Sequence, residues 1–142
     1  MALIKLNNQG VKNATAFGSI TGLGSMTFIK KLTASSSGTL SFVDGASSVV
    51  LDGTYKEYLF TFKDIHPATD DANFLFNMSI DSGSNYNVTK TSTFFRAYHQ
   101  EDDSQSALAY YTSGDLAQST GAQPLTMDIG NANDESANGS LI

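Results

Sequence analysis

Among residues whose types and spacing suit chemistry, two acidic clusters stand out. Asp64, His66, Asp70 and Asp71 crowd one stretch, and Glu101-Asp102-Asp103 follows His99. Oxygen-rich loops bind calcium, which takes about 6–8 oxygen ligands. The first cluster matches no EF-hand spacing and lacks the bidentate Glu that closes one, so its aspartates are read as bonding their own backbone in a solvated loop. The second cannot turn three consecutive carboxylates towards one ligand from a strand, and it reads as a solvated hairpin tip. Two histidines without an H-x₃₋₅-H spacing make no zinc site. No metal and no cofactor is expected.

Covalent catalysis finds no better foothold. An acyl-transfer triad needs Ser, His and Asp to converge, and no G-x-S-x-G elbow is present. Nothing in the spacing of the fourteen acids singles out a glycosidase pair. The glycines of Gly18–Gly24 lack the Lys-Ser/Thr of a phosphate loop and precede a strand-like run. The sequence is therefore read as non-enzymatic. Tyrosine combines a flat apolar face with a polar tip, which suits sugars and subunit contacts alike. Tyr86 and Tyr111, with Asp70 and Asp71, are the candidate ligand contacts.

The elements that must position these residues follow from composition. Charged residues make up 15% of 142, well under the roughly 25% of ordinary domains; Ser, Thr, Asn and Gly take their place. Such residues favour turns and compete with helical hydrogen bonds. Alternating apolar residues mark strands: Met26–Thr33, Gly38–Val43, Ser48–Leu51, Tyr55–Ile65, Asn73–Ile80, Thr91–His99, Ala107–Thr112 and Leu125–Ile129. Asp44-Gly45 and Asp52-Gly53 are turn signals between them, and residues 116–124 read as a polar loop. Gly139–Ile142 reads as the start of a strand, to be continued by a longer natural chain or completed by a partner subunit. The expected fold is all-β, an antiparallel β-sandwich of jelly-roll type, in one domain over residues 25–142.

Residues 1–24 differ. Asn7-Asn8-Gln9-Gly10 and Gly18, Gly22 and Gly24 interrupt any regular element, yet Ile4, Leu6, Val11, Phe17 and Ile20 recur through them. Disordered linkers hold few such residues, so this segment is read as an extended arm that docks on another surface, the alternative being a first strand of the domain itself. The first 43 residues carry four lysines and no acid, whereas the remainder holds the other four basic residues against all fourteen acids. That asymmetry suits an arm with an acidic partner, and a body so acidic repels nucleic acid. No stretch approaches the roughly 20 apolar residues of a membrane span.

Several motifs together carry a resemblance. The opening Met1-Ala-Leu-Ile-Lys-Leu-Asn-Asn-Gln9, the run Tyr58-Leu-Phe-Thr-Phe-Lys-Asp-Ile-His-Pro67, then Asp70-Asp71, Ser79-Ile-Asp81, Phe95-Arg-Ala-Tyr-His99 and Asp115-Leu-Ala-Gln118 resemble structural proteins of marine tailed bacteriophages. The resemblance covers most of the chain. It implies a virion structural protein, a tail-fibre or capsid-attached component that is homo-oligomeric, with a trimer expected by analogy to fibres. Its partners would be other virion proteins, with a host surface glycan as a further ligand, and it implies no catalytic residue. A carbohydrate-binding receptor module and a capsid decoration protein are the alternatives.

Overall fold

The computed structural model describes residues 26–142. The chain divides into two units, Met1–Lys31 and Leu32–Ile142. In the first, the described residues 26–31 form no strand; the arm residues Ile4, Leu6, Val11, Phe17 and Ile20 lie outside the described residues. The second is all-β apart from one 3₁₀ turn at Thr112–Gly114. Its strands are β1 (Phe60–Ile65), β2 (Ala72–Phe76), β3 (Lys90–Ser92), β4 (Phe95–His99), β5 (Ser106–Tyr110), β6 (Leu116–Ser119), β7 (Gln123–Ile129) and β8 (Ala137–Leu141). Among the described residues, no helix is long and apolar enough to cross a membrane.

The strands form four antiparallel pairs, and the pairs are nested: β4 with β5, β3 with β6, β2 with β7, β1 with β8. Gly139–Leu141, which the sequence marks as a strand start, pairs with Phe60–Phe62.

Three of the four pairs share one device. Between Phe62↔Gly139 and Ile65↔Ala137, two residues of β1 oppose Asn138 alone. Between Ala72↔Ile129 and Phe74↔Thr126, two residues of β7 oppose Asn73. Between Lys90↔Ser119 and Ser92↔Leu116, two residues of β6 oppose Thr91. Each is a β-bulge, which bends a strand and increases its twist. In each, the second bulged residue is left-handed: Asp64 at φ 58°, Asp128 at 57°, Gln118 at 49°. Its N–H, turned out of the ladder, donates to the side chain of the single residue opposite. Asp64 reaches Asn138 Oδ1 at 2.9 Å, Asp128 reaches Asn73 Oδ1 at 3.1 Å and Gln118 reaches Thr91 Oγ1 at 3.2 Å. The bulge frees a donor and the facing side chain satisfies it, as an unpaired backbone group requires.

Apolar packing joins neighbouring pairs. The rings of Phe62 on β1 and Phe74 on β2 meet edge-on at 5.0 Å, over a small cleft also lined by Leu125 and Ala137. Two buried polar side chains tie loops to strands. Lys90 Nζ donates to Asn77 Oδ1 at 2.6 Å and to the Val88 carbonyl at 2.9 Å, while Asn77 Nδ2 donates to the carbonyls of Tyr86 and Thr120. Gln123 donates to the Gly114 carbonyl at 3.0 Å and accepts from Ser92 Oγ.

The structure departs from the expected strands in four places. Residues 26–59 contain none. Around Asp44-Gly45 the chain turns back on itself: Gly45 N donates to the Val49 carbonyl, Leu51 N donates to Asp44 Oδ1, and Gly45, Ser47 and Ser48 are left-handed. Local bonds satisfy this backbone, and its apolar residues pack without a ladder: Val49 is buried, and Phe42 meets Phe60 at 5.5 Å. The expected strand from Tyr55 starts only at Phe60, because Tyr55 and Tyr58 stack edge-on across a turn and the Tyr58 hydroxyl donates to the Asp52 carbonyl. The strand expected over Asn73–Ile80 ends at Phe76, where the Asn77 side chain bonds Lys90 and the carbonyls of Tyr86 and Thr120. Thr91–His99 is cut in two at Phe94, whose N–H donates to Asp115 Oδ1 at 2.7 Å. Residues 116–124, expected as a loop, contain β6 and the start of β7, with Pro124 at a register shift where a proline is tolerated.

Candidate interaction surface

The pair β4–β5 is the one pair whose register runs without a shift, from Phe95↔Tyr110 through Arg96↔Ala109, Ala97↔Leu108 and Tyr98↔Ala107 to His99↔Ser106. Directly opposed residues share a face, so the ribbon has two distinct sides. One carries Phe95, Ala97, Leu108 and Tyr110. Phe95 is 67% exposed, Leu108 81% and Tyr110 50%. The Phe95 and Tyr110 rings lie 5.4 Å apart, and the Tyr110 hydroxyl donates to the Asp115 carboxylate. That bond, with the Asp115 charge, holds the phenol's pKa above its ordinary value. Three large apolar side chains on a regular two-stranded ribbon thus stand largely in solvent.

The other side is occupied. The Arg96 guanidinium lies 4.2 Å from the centroid of the Tyr111 ring and 5.0 Å from that of Tyr98, within cation–π range. It reaches Asp128 of β7 at 3.4 Å. The Phe94 ring flanks Tyr111 at 6.2 Å. Arg96 therefore links β4 to β7, and Tyr111 is half-buried beneath it.

At the tip, Gln100–Gln105 forms a tight loop. Gln100 N donates to the Gln105 carbonyl and Asp103 N to the Gln100 carbonyl, with Asp103 left-handed. Glu101, Asp102 and Asp103 are all exposed. Asp103 Oδ1 lies 3.2 Å from His99 Nε2, and hydrogen bonds from Ser104 hold the Asp102 carboxyl below its usual range. The expected hairpin tip at these acids is present.

The sequence candidates fall on separate elements. Asp70 and Asp71 are exposed between β1 and β2, and Asp71 is left-handed. Asp64 and His66 meet at 2.9 Å; among the described residues no three His, Asp or Glu side chains are grouped to hold a metal. Tyr86, 40% exposed, belongs to the loop between β2 and β3. Asp81 organises that loop: it accepts from Ser79 Oγ at 2.5 Å and from the backbone and side chain of Asn85. These bonds pull its pKa down to about 2.

The apolar side of β4–β5 was not singled out by sequence. Its signal was there as two short alternations, Phe95/Ala97 and Leu108/Tyr110, flanking an acidic turn, but alternation does not say which face stays uncovered. No protein-family model, no curated protein and no solved structure matches this chain.

Proposed function

We propose that this protein is a non-enzymatic structural component of a tailed-bacteriophage particle, a tail-fibre or capsid-attached subunit that assembles through its N-terminal arm as a homotrimer. The observation that carries the reading is the nested pairing of eight strands, which describes one long antiparallel ribbon folded at β4–β5. Rolling such a ribbon so that β2–β7 lies beside β4–β5 gives a jelly roll, an architecture recurrent in viral capsid and lectin domains. The Arg96–Asp128 link between β4 and β7 and the Phe62–Phe74 contact between β1 and β2 support that roll. Function by way of fold is analogy, and the resemblance of the motifs to phage structural proteins supplies the specific class. Exposed apolar side chains on β4–β5 add the physical need for a partner.

Native mass spectrometry and peptide mapping of purified particles test the proposal. The chain is expected in the particles at a fixed copy number that is a multiple of three. Particles of the producing phage that lack the chain would overturn the reading.

A second reading, glycan recognition at the particle surface, draws on Tyr86 exposed beside the Asp81–Asn85 loop, which supplies a stacking face and hydroxyl-binding groups. A glycan array showing no signal above background would remove it.

A further inference from the structure

We infer that the apolar side of β4–β5 is the docking surface for the N-terminal segment, residues 1–24, of a second copy of this chain. This rests on the assembly reading above and names the partner it requires. Three features of the ribbon point to an extended, basic, apolar occupant. It is unbulged, so a segment can lie along it without a kink. Phe95, Leu108 and Tyr110 stand exposed in one stripe. The stripe ends at the exposed carboxylates of Glu101, Asp102 and Asp103.

The segment is complementary in each respect. Ile4 and Leu6 alternate about Lys5, which in an extended chain puts both apolar side chains on one side. The segment carries Lys5 and Lys12 and no acid. Spacing agrees as well: Ile4 and Leu6 are two steps apart, as are the opposed pairs Phe95↔Tyr110 and Ala97↔Leu108, and Lys12 follows Leu6 by six residues, enough to reach the turn just past His99. With Ile4 over the Phe95–Tyr110 ring pair and Leu6 over Leu108, Lys12 reaches the acidic tip. Charge at the rim sets register and speeds encounter, while the apolar stripe supplies the hold.

The test uses the full chain. A photo-reactive benzoylphenylalanine replaces Leu6, and light and heavy isotope-labelled chains are mixed before irradiation. Cross-links between heavy and light chains that map to residues 95–110 are expected. Cross-links only within one chain, or to other parts of the body, overturn the proposal. Sedimentation equilibrium gives an independent readout. Leu108→Thr with Phe95→Thr is expected to weaken association about thirtyfold or more while circular dichroism stays unchanged. Lys12→Glu is expected to weaken it about tenfold, and Glu101→Lys in the same chain to restore it. Self-association that ignores all these changes would also overturn the proposal. A chain that self-associates this way yet is missing from particles would leave the docking intact and defeat the phage reading.

Discussion

The three outer pairs and the innermost pair solve the problem of an exposed strand in opposite ways. β1–β8, β2–β7 and β3–β6 are each interrupted by a bulge with a left-handed residue and a side-chain acceptor facing it. β4–β5 has a straight five-residue register and shows its apolar side to solvent. Bulges discourage a foreign strand from adding to an edge. A straight ribbon with an apolar face invites a partner. On the proposed docking, regularity in this molecule marks where contact is made.

The largest change expected within this comparison lies at the root of the straight pair. A Cβ on Gly114 would come within 2.7–2.9 Å of the Phe94 ring, and Gly114 is buried. Gly114→Ala is expected to cost about 2 kcal/mol in urea unfolding, as overpacking does. Gly130→Ala meets only the Glu135 carboxylate at the end of a flexible side chain, so a smaller loss is expected; equal losses would mean the Phe94 contact is not special.

Next come the bulge acceptors. Asn73→Ala and Asn138→Ala each remove the acceptor of a bulge N–H and are expected to lower stability by about 1 kcal/mol. Their effects should add in the double variant, since they serve different pairs. Thr91→Ala is expected to do less, its bond being the longest of the three. Losses that are strongly non-additive would show the bulges to be one coupled feature.

Relieving a bulge should act the other way. Gln118 is left-handed without the short polar side chain that eases that conformation. Gln118→Gly is expected to raise stability by about 0.5 kcal/mol, the strain relieved exceeding the entropy glycine adds to the unfolded chain. A loss on substitution would mean that the glutamine side chain does more for the fold than its strain costs.

The smallest effect concerns acid. Asp81 has its pKa lowered to about 2 by the Ser79 and Asn85 bonds. A carboxyl depressed on folding contributes stability above its unfolded pKa near 4 and loses it as pH falls towards the folded value. The loop carrying Tyr86 is therefore expected to stay closed down to about pH 4 and to open progressively towards pH 2. Amide shifts of Asn85 report this. A midpoint near 4 would show that the bonds to Asp81 are not kept in solution.

Much of the strand content was legible because alternation is a local property. Phe60/Phe62, Phe74/Phe76 and Leu125/Met127/Ile129 each announce a strand. Residues 38–51 misled because their Ser and Gly residues satisfy the backbone in turns while Phe42 and Val49 pack all the same. β6 was missed because Leu116-Ala-Gln-Ser119 has almost no apolar contrast. The bulges could not be read at all. Each joins a left-handed residue to an acceptor 27 to 74 positions away, and neither partner is unusual in its own neighbourhood. Likewise, the candidate surface was legible as two strands and a turn, but its exposure depends on what the rest of the chain leaves uncovered.

The nested order of the pairs also bears on how the chain folds. Only six residues separate β4 from β5, whereas 71 separate β1 from β8. Closing the outermost pair directly from an open chain costs about 2 kcal/mol more in loop entropy than closing the innermost. Zipping from β4–β5 outwards divides that cost into small steps, each rung bringing the next two strands within reach. On this hypothesis refolding rates respond to substitutions in β4–β5, and unfolding rates to substitutions in β1–β8. A chevron series with that assignment reversed would rule the route out. A ribbon that zips in this order exposes its acidic hairpin first, so the surface offered to a partner would exist before the fold is complete.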